Sequence, residues 1–353
     1  MNHKLTPVDY DPFVADKELR VATTEAQREI ITNVLFGNDA ANCAYNESVS
    51  LKLKGNFNYK SFQNAVNALI ERHESLRATF SEDATEMIIA PFLFAEVPLI
   101  DFTELDPHEA KARIDALISE EVTAPFDLHK GPLFDVKIVK LSESIHQVII
   151  TGHHVIFDGW STGIAMQELS QLYNAFKNHQ IPELDKANKF SDYVSDELAY
   201  EKTDEFKQTE KYWLNQFSDS KPFELISDKP RPALRTYSAR RFDFDIAESL
   251  VTELKNLGKK NNCSLVNVLI AAFETFLYRI TGNNEVIFGL PAAGQAVTNM
   301  YALIGHCVNL LPLKSTINPD EKFSDYLNRR KSSLMDAFDH QRFTLGTLLK
   351  KLS

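Results

Sequence analysis

A strand-like period of two and a helix-like period of 3.6 take turns along this chain, and that alternation confines it to mixed α and β layers. VSLKLKG (49–55) alternates apolar and polar side chains as a half-buried strand does. NYKSFQNAVNALIERHESLRATF follows and sets Phe62, Val66, Leu69, Ile70 and His73 on one helical stripe. Ile114, Leu117 and Ile118 predict a helix over 109–122. VKIVKL (136–141) and HQVIIT (146–151), separated by the polar turn 142–145, predict a hairpin whose second strand runs into His153 and His154.

After Asp158 and Gly159 the period becomes helical through Ile164, Glu168, Leu169, Leu172, Tyr173 and Phe176, with Ser161 or Thr162 as candidate N-cap. NHQIPELDKANK (178–189) is polar, carries a proline and reads as a linker. The second half predicts a charged helix over 192–216 and a strand at RRFDFDI (240–246). CSLVNVLIAAFETFLYRITG then predicts a helix opened by Ser264 and stopped near Gly282, with Leu265, Val268, Leu269, Ala272, Phe273, Phe276 and Leu277 as its apolar face. The strand EVIFG follows, and 321–341 reads as a last amphipathic helix. A length of 353 residues exceeds one typical core, so the expected division is an N-terminal lobe 1–178, a linker 179–190 and a C-terminal lobe 191–353.

A net charge of −11 argues against a general binder of phosphate backbones, so no nucleic acid partner is expected. The opening MNHKLTPVDYDPFV has no apolar signal-peptide core, and no stretch approaches the ~20 uninterrupted apolar residues of a membrane span. A cytoplasmic protein without a membrane partner is the expectation. Cys43, Cys263 and Cys307 are widely separated, stand in no CxxC pair and read as reduced packing thiols.

GHHVIFDGWS (152–161) places two imidazoles and a carboxylate where a buried strand ends. Successive strand side chains point to opposite faces, so His153 and His154 do not chelate one metal, and no cysteine ligand lies near; no metal is expected. One ring should face a cavity while the other packs inside. Asp158 either caps the helix that follows or pairs with a cation to hold the loop. The spacing alone leaves open whether the pair is structural or catalytic.

HHxxxDG followed by Trp-Ser resembles the signature of the condensation domains of nonribosomal peptide synthetases, within the chloramphenicol acetyltransferase-like superfamily. Further stretches resemble that family's motifs in order: TEAQREI (24–30), RHESLRATF (72–80), KFSDY (189–193), IGHCVNLLPLK (304–314) and HQRFTLGTLL (340–349). The likeness spans essentially the whole chain. Glu29 departs from a usually basic position, and the family's seventh motif is expected just after Leu352. The chain therefore reads as a fragment of a longer polypeptide or as having an incomplete second lobe.

The resemblance implies an α/β fold of two chloramphenicol-acetyltransferase-like lobes in a V-shaped pseudo-dimer, each a mixed sheet packed with helices, with a floor loop around 304–314. The implied reaction is peptide-bond formation in secondary metabolite biosynthesis: a carrier-bound acyl or peptidyl thioester is attacked by the amine of a carrier-bound aminoacyl thioester. The partners would be donor and acceptor peptidyl carrier proteins and a neighbouring adenylation domain. Both substrates would ride on 4′-phosphopantetheine arms, and the domain itself would bind no cofactor. By resemblance His154 faces the substrate tunnel as base or positioner, and the Gly159 N–H is an oxyanion donor. His153 is structural, and Asp158 pairs with Arg72 to fix the loop. Arg77, Trp160, Ser161 and Asn309 are tunnel candidates. A free-standing acyltransferase acting on a soluble amine or alcohol, and a non-catalytic carrier-docking module, are the alternative readings.

Overall fold

A computed structural model describes residues 17–221, 223–233 and 235–352. The opening stretch read above for a signal peptide lies outside them. The chain forms two compact units. Unit 1 takes the residues up to Thr23, then Asn46–Ser191 and Leu303–Gly305; unit 2 takes Thr24–Tyr45, Asp192–Ala302 and the chain from His306 on.

β1 (Leu19–Ala22) belongs to unit 1 and α1 (Glu25–Cys43) to unit 2. Unit 1 resumes with β2 (Asn46–Lys54), α2 (Tyr59–Arg72), a 3₁₀ turn at Glu74–Arg77, β3 (Ala78–Phe80), β4 (Glu86–Ile89) and β5 (Leu99–Asp101). It continues with α3 (Pro107–Thr123), β6 (Phe134–Ser142), β7 (Ile145–His153) and α4 (Gly159–Lys177). α5 (Phe190–Tyr200) starts in unit 1 and belongs to unit 2 from Asp192 on, and unit 2 adds α6 (Asp204–Phe217), α7 (Glu248–Lys260), α8 (Leu265–Thr281) and β8 (Glu285–Ala293). The short α9 (Gly294–Val297), β9 (Val308–Thr316), α10 (Phe323–Asp339) and α11 (Leu345–Leu352) complete it.

In unit 1 the order β2-β7-β6-β5 makes one sheet, antiparallel except for the β5–β6 pair, and β1-β4-β3 makes a second. β7 is buried from Val148 to His153, as a central strand covered on both faces must be. The helical stripe read on α2 is its buried face: Phe62, Val66, Leu69 and Ile70 are each at most 4% exposed. Burying side chains of this size contributes ~1.5–3 kcal/mol apiece. α4 lies over the sheet so that Met166, Leu169 and Tyr173 face Leu51, Leu53, Val148 and Ile150 around a cleft of about 350 Å³.

Unit 2 builds its core on the antiparallel β8–β9 pair. Trp213, Ile270, Leu311, Leu313, Leu334, Phe343 and Leu348 form one cluster; Val268, Ala271, Leu277, Val286, Tyr326 and Leu327 form a second. The Glu274 carboxylate is sealed between them, 2.8 Å from Arg330 Nε and accepting the Tyr326 hydroxyl at 2.6 Å.

Several expectations change. The helix read over 192–216 is two, because Thr203 interrupts it and caps α6 by accepting the Phe206 N–H. RRFDFDI is not a strand: Phe242 and Phe244 are 73% and 86% exposed, and alternation without a ladder partner makes no sheet. α8 buries Val268, Ile270, Ala271, Glu274 and Leu277, while Leu269, Phe273 and Phe276 face outward. Residues 308–314 are strand rather than floor loop. The division at 179–190 matches neither unit, since α1 folds with the second half and Leu303–Gly305 with the first. Local periodicity marks where helices are, but which core each helix completes depends on tertiary packing. Cys43, Cys263 and Cys307 form no disulfide among the described residues. Among the described residues no single helix is long and apolar enough to cross a membrane.

Candidate active site

The antiparallel register pairs Asn46 with His153 and Glu47 with Gly152. Opposed residues share a sheet face and alternate residues along a strand do too, so Glu47, Gly152 and His154 project to one side while His153 projects to the other. His153 is fully buried there, its Nδ1 accepting the Val155 N–H at 3.3 Å. His154 lies one residue past the ladder and keeps 24% of its side chain exposed. Gly152 makes the following loop possible. The chain doubles back until Phe157 lies on it, and a Cβ at 152 would stand 3.1 Å from Phe157 Cβ.

That return places the Phe157 carbonyl 2.9 Å from His154 Nδ1. A carbonyl oxygen only accepts, so Nδ1 carries the proton and in the neutral ring the basic lone pair sits on Nε2. Glu47 Oε1 lies 3.4 Å from the same Nδ1. Burial pushes the Glu47 carboxyl up from its ordinary range; the His154 ring opposes that and the charge of Asp158 adds to it.

Asp158 is the N-cap of α4. Its fully buried Oδ1 accepts the Ser161 N–H at 2.8 Å and the Ser161 hydroxyl lies 2.7 Å away. Neither Ser161 nor Thr162 is the cap. Ser161 is buried and its Oγ accepts the Gly305 N–H at 3.0 Å, also lying 3.0 Å from the Gly305 carbonyl. Ser75 Oγ donates to the Ile304 carbonyl at 2.8 Å. Gly305 fits because it has no side chain; a Cβ would meet the Phe190 ring at 2.3 Å. Two serines from separate motifs thus hold the Leu303–Gly305 segment inside unit 1.

Arg72 does not pair with Asp158. Its Nε is 2.9 Å from Glu168 Oε2, its Nη2 3.2 Å from Oε1, and it also donates to the Asp185 carbonyl at 2.7 Å. The reason is distance along α4: Glu168 stands ten residues beyond the cap, ~15 Å along the axis. His73 Nε2 joins the same carboxylate at 2.9 Å. Burial alone would raise Glu168, but His73 and Arg72 outweigh it and hold the carboxyl at about 2.

Arg77 is committed to the backbone. It donates to Ala90 O at 2.7 Å and, at the C-terminus of α2, to Ile70 O at 3.1 Å and Glu71 O at 2.8 Å. Asn309 sits on β9 and donates to the Gln341 carbonyl. Trp160 is half-buried. Gly159, the first residue of α4, is exposed, and a Cβ there would meet nothing within 4 Å, so the fold itself does not require glycine at that position.

Glu47 and Glu168 are the residues that reading the sequence missed as site components. Glu168 carried a signal, a carboxylate within an apolar helical stripe. Glu47 carried none, because its role follows from a cross-strand register that pairs residues over a hundred positions apart.

A family model described as "Condensation domain" matches residues 18–353. A plipastatin synthase polypeptide of Bacillus subtilis (strain 168) is 32% identical over 339 residues, 96% of this chain and 9% of that protein. Gramicidin S synthase 2 of Brevibacillus brevis is 29% identical over 340 residues, 96% of this chain and 7% of that one. The chain therefore spans less than a tenth of either relative. Among solved structures, the starter condensation domain of rhizomide synthetase, crystallised with C8-CoA and Leu-SNAC, superposes with a TM-score of 0.83 at 21% identity, covering 94% of this chain and 74% of that one. With the family model matched across nearly all of its described length, this chain belongs to the condensation domain family.

Proposed function

We propose that this chain catalyses amide-bond formation between a carrier-bound acyl or peptidyl thioester and the amine of a carrier-bound aminoacyl thioester, with His154 as the residue that handles the proton. The observation that carries the reading is the state of the His154 ring: partly exposed, fixed at Nδ1 by the Phe157 carbonyl, with its lone pair on Nε2.

Physical chemistry then assigns the steps. An α-amine has a pKa of ~7.7–8.0 and is largely protonated at neutral pH. His154 Nε2 accepts a proton from the attacking nitrogen as the C–N bond forms, a role typically worth ~10²–10⁴-fold. Collapse of the tetrahedral intermediate breaks the C–S bond, and the imidazolium returns its proton to the departing thiolate. In this reading the Gly159 N–H, the first of α4, donates to the developing oxyanion. Asp158, Ser161 and Arg77 serve the loop and helix ends rather than the substrate, and His153 packs inside.

The partners of this reading are donor and acceptor carrier proteins and an adenylation domain that loads the acceptor, which fits relatives that are peptide synthases of far greater length. The test loads two carrier proteins with acyl and aminoacyl groups, adds this chain and follows the acceptor carrier by intact mass. Dipeptidyl-carrier that vanishes with His154→Ala supports the proposal. Transfer only to a soluble amine or alcohol, or carrier binding with no transfer, overturns it.

A further inference from the structure

We propose that Glu47 is a positioning residue for His154: its carboxylate helps hold the imidazole beside the Phe157 carbonyl and stabilises the imidazolium that forms when Nε2 takes a proton. The inference rests on the reading of His154 given above and extends it to a residue outside the HHxxxDG motif.

The geometry begins with the ladder. Glu47 opposes Gly152, and His154 follows two residues later on the same face. Because residue 152 has no side chain, nothing of that residue stands between the Glu47 carboxylate and the ring. Oε1 reaches within 3.4 Å of Nδ1, while Phe157 O holds the Nδ1 proton at 2.9 Å. In the neutral ring that proton is committed to Phe157. Once Nε2 is protonated the ring carries a full charge, and the Glu47 carboxylate is the anion in contact with it, only a third of its side chain being exposed to screening water.

The other charges around Glu47 are arranged to leave that pairing intact. Asp158, at the cap of α4, is the anion acting on Glu47 and is already committed to Ser161. On the α3 side of β2, the Asn46 amide holds the Val122 and Ala124 carbonyls, and Glu121 is paired with Lys137 of β6. The buried His153 points to the opposite face. His154 is thus the cation that Glu47 meets when the ring is protonated.

The main arm of the test reads the ring itself, beside the rate. In protein labelled with isotopic histidine and glutamate, the His154 ring signals are assigned by their loss in His154→Gln and followed from pH 4 to 9. Glu47→Gln is expected to lower the His154 midpoint by ~1 pH unit and Glu47→Asp by less, with the acid limb of the single-turnover condensation rate moving down in step and the plateau rate falling about threefold to tenfold. In the unsubstituted protein, the Glu47 side-chain carbon signal should inflect at the His154 midpoint as well as at its own. That arm needs no variant. An unmoved His154 midpoint in a Glu47→Gln protein of wild-type melting temperature, or a Glu47 signal blind to the His154 transition, overturns the proposal. Full activity in His154→Ala would instead overturn the catalytic reading and leave the ring titration standing.

Discussion

Glu168 concentrates in one side chain what the second sequence motif does. Two basic groups, Arg72 and His73, converge on it at 2.9 Å each, and its carboxyl is held at about 2. A carboxylate whose folded value lies below its unfolded value of ~4.3 contributes stability that is complete above that value and is lost as pH falls towards 2. A depression of about two units corresponds to ~3 kcal/mol. Urea unfolding at a series of pH values should therefore show stability falling between about pH 4.5 and 2, with Glu168→Gln flattening that part of the curve. The same variant should cost ~1–3 kcal/mol at pH 7, because Arg72 and His73 lose the charged acceptor they share and keep only a neutral amide oxygen. A stability curve of unchanged slope in Glu168→Gln would count against this assignment. Asp158 invites a different substitution. As a cap it needs an oxygen acceptor and not a charge, so Asp158→Asn should keep the melting temperature within a few degrees, while Asp158→Ala costs ~1–2 kcal/mol by orphaning the Ser161 N–H. Equal losses in the two variants would show that the charge matters.

At the scale of elements, the sequence was most legible where one residue decides one feature. Ser264 and Gly282 mark both ends of α8; the serine accepts the Asn267 N–H and the glycine adopts φ +72. The period-two run of β2 was equally plain, its half-buried Val49, Leu51 and Leu53 alternating with exposed Ser50, Lys52 and Lys54, and the polar turn marked the β6–β7 hairpin. RRFDFDI has the same period and no ladder, because a strand exists only when another chain segment satisfies its backbone. On α8 the apolar residues wrap the helix nearly all round, so composition could not say that the side bearing Glu274 is the buried one. The candidate site divided the same way. The motif located His154, Asp158 and Gly159, while the carboxylate beside His154 comes from β2 and the contact that fixes Ser161 beside Asp158 comes from residue 305, neither of which local sequence connects. Gly305 tests that last contact. Gly305→Ala drives a methyl into the Phe190 ring and should cost ~1–3 kcal/mol, with Phe190→Leu in the same chain recovering part of the loss. Strict additivity of the two changes would mean that the glycine is not there for Phe190.

For the whole molecule, the order of segments along the chain is not the order of the cores. Residues 24–45 precede almost all of unit 1 yet belong to unit 2, where Glu29 accepts the Gly346 N–H at 2.8 Å and the Thr24–Gln27 capping box opens α1. Glu29 stands where the resemblance expected a base, and this bond gives the acid a structural use: burial raises its carboxyl, and the Gly346 N–H opposes that. A polypeptide beginning at residue 190 would contain α5 to α11 but not the helix that packs on α11. Stability within a unit is cooperative only over the contacts it contains, so the loss should appear first where α1 was. Hydrogen exchange on a 190–353 polypeptide should show Leu345–Leu352 exchanging much faster than in the intact chain, while Val268–Leu277 of α8 keeps most of its protection through Val286, Tyr326 and Leu327. A polypeptide covering 17–190 should conversely lose protection at the start of α4, since Ser161 would have no Gly305 to hold. If α11 is as protected in the shorter polypeptide as in the whole chain, α1 is an appendage and the single division read from the linker is the better description of how this molecule is built.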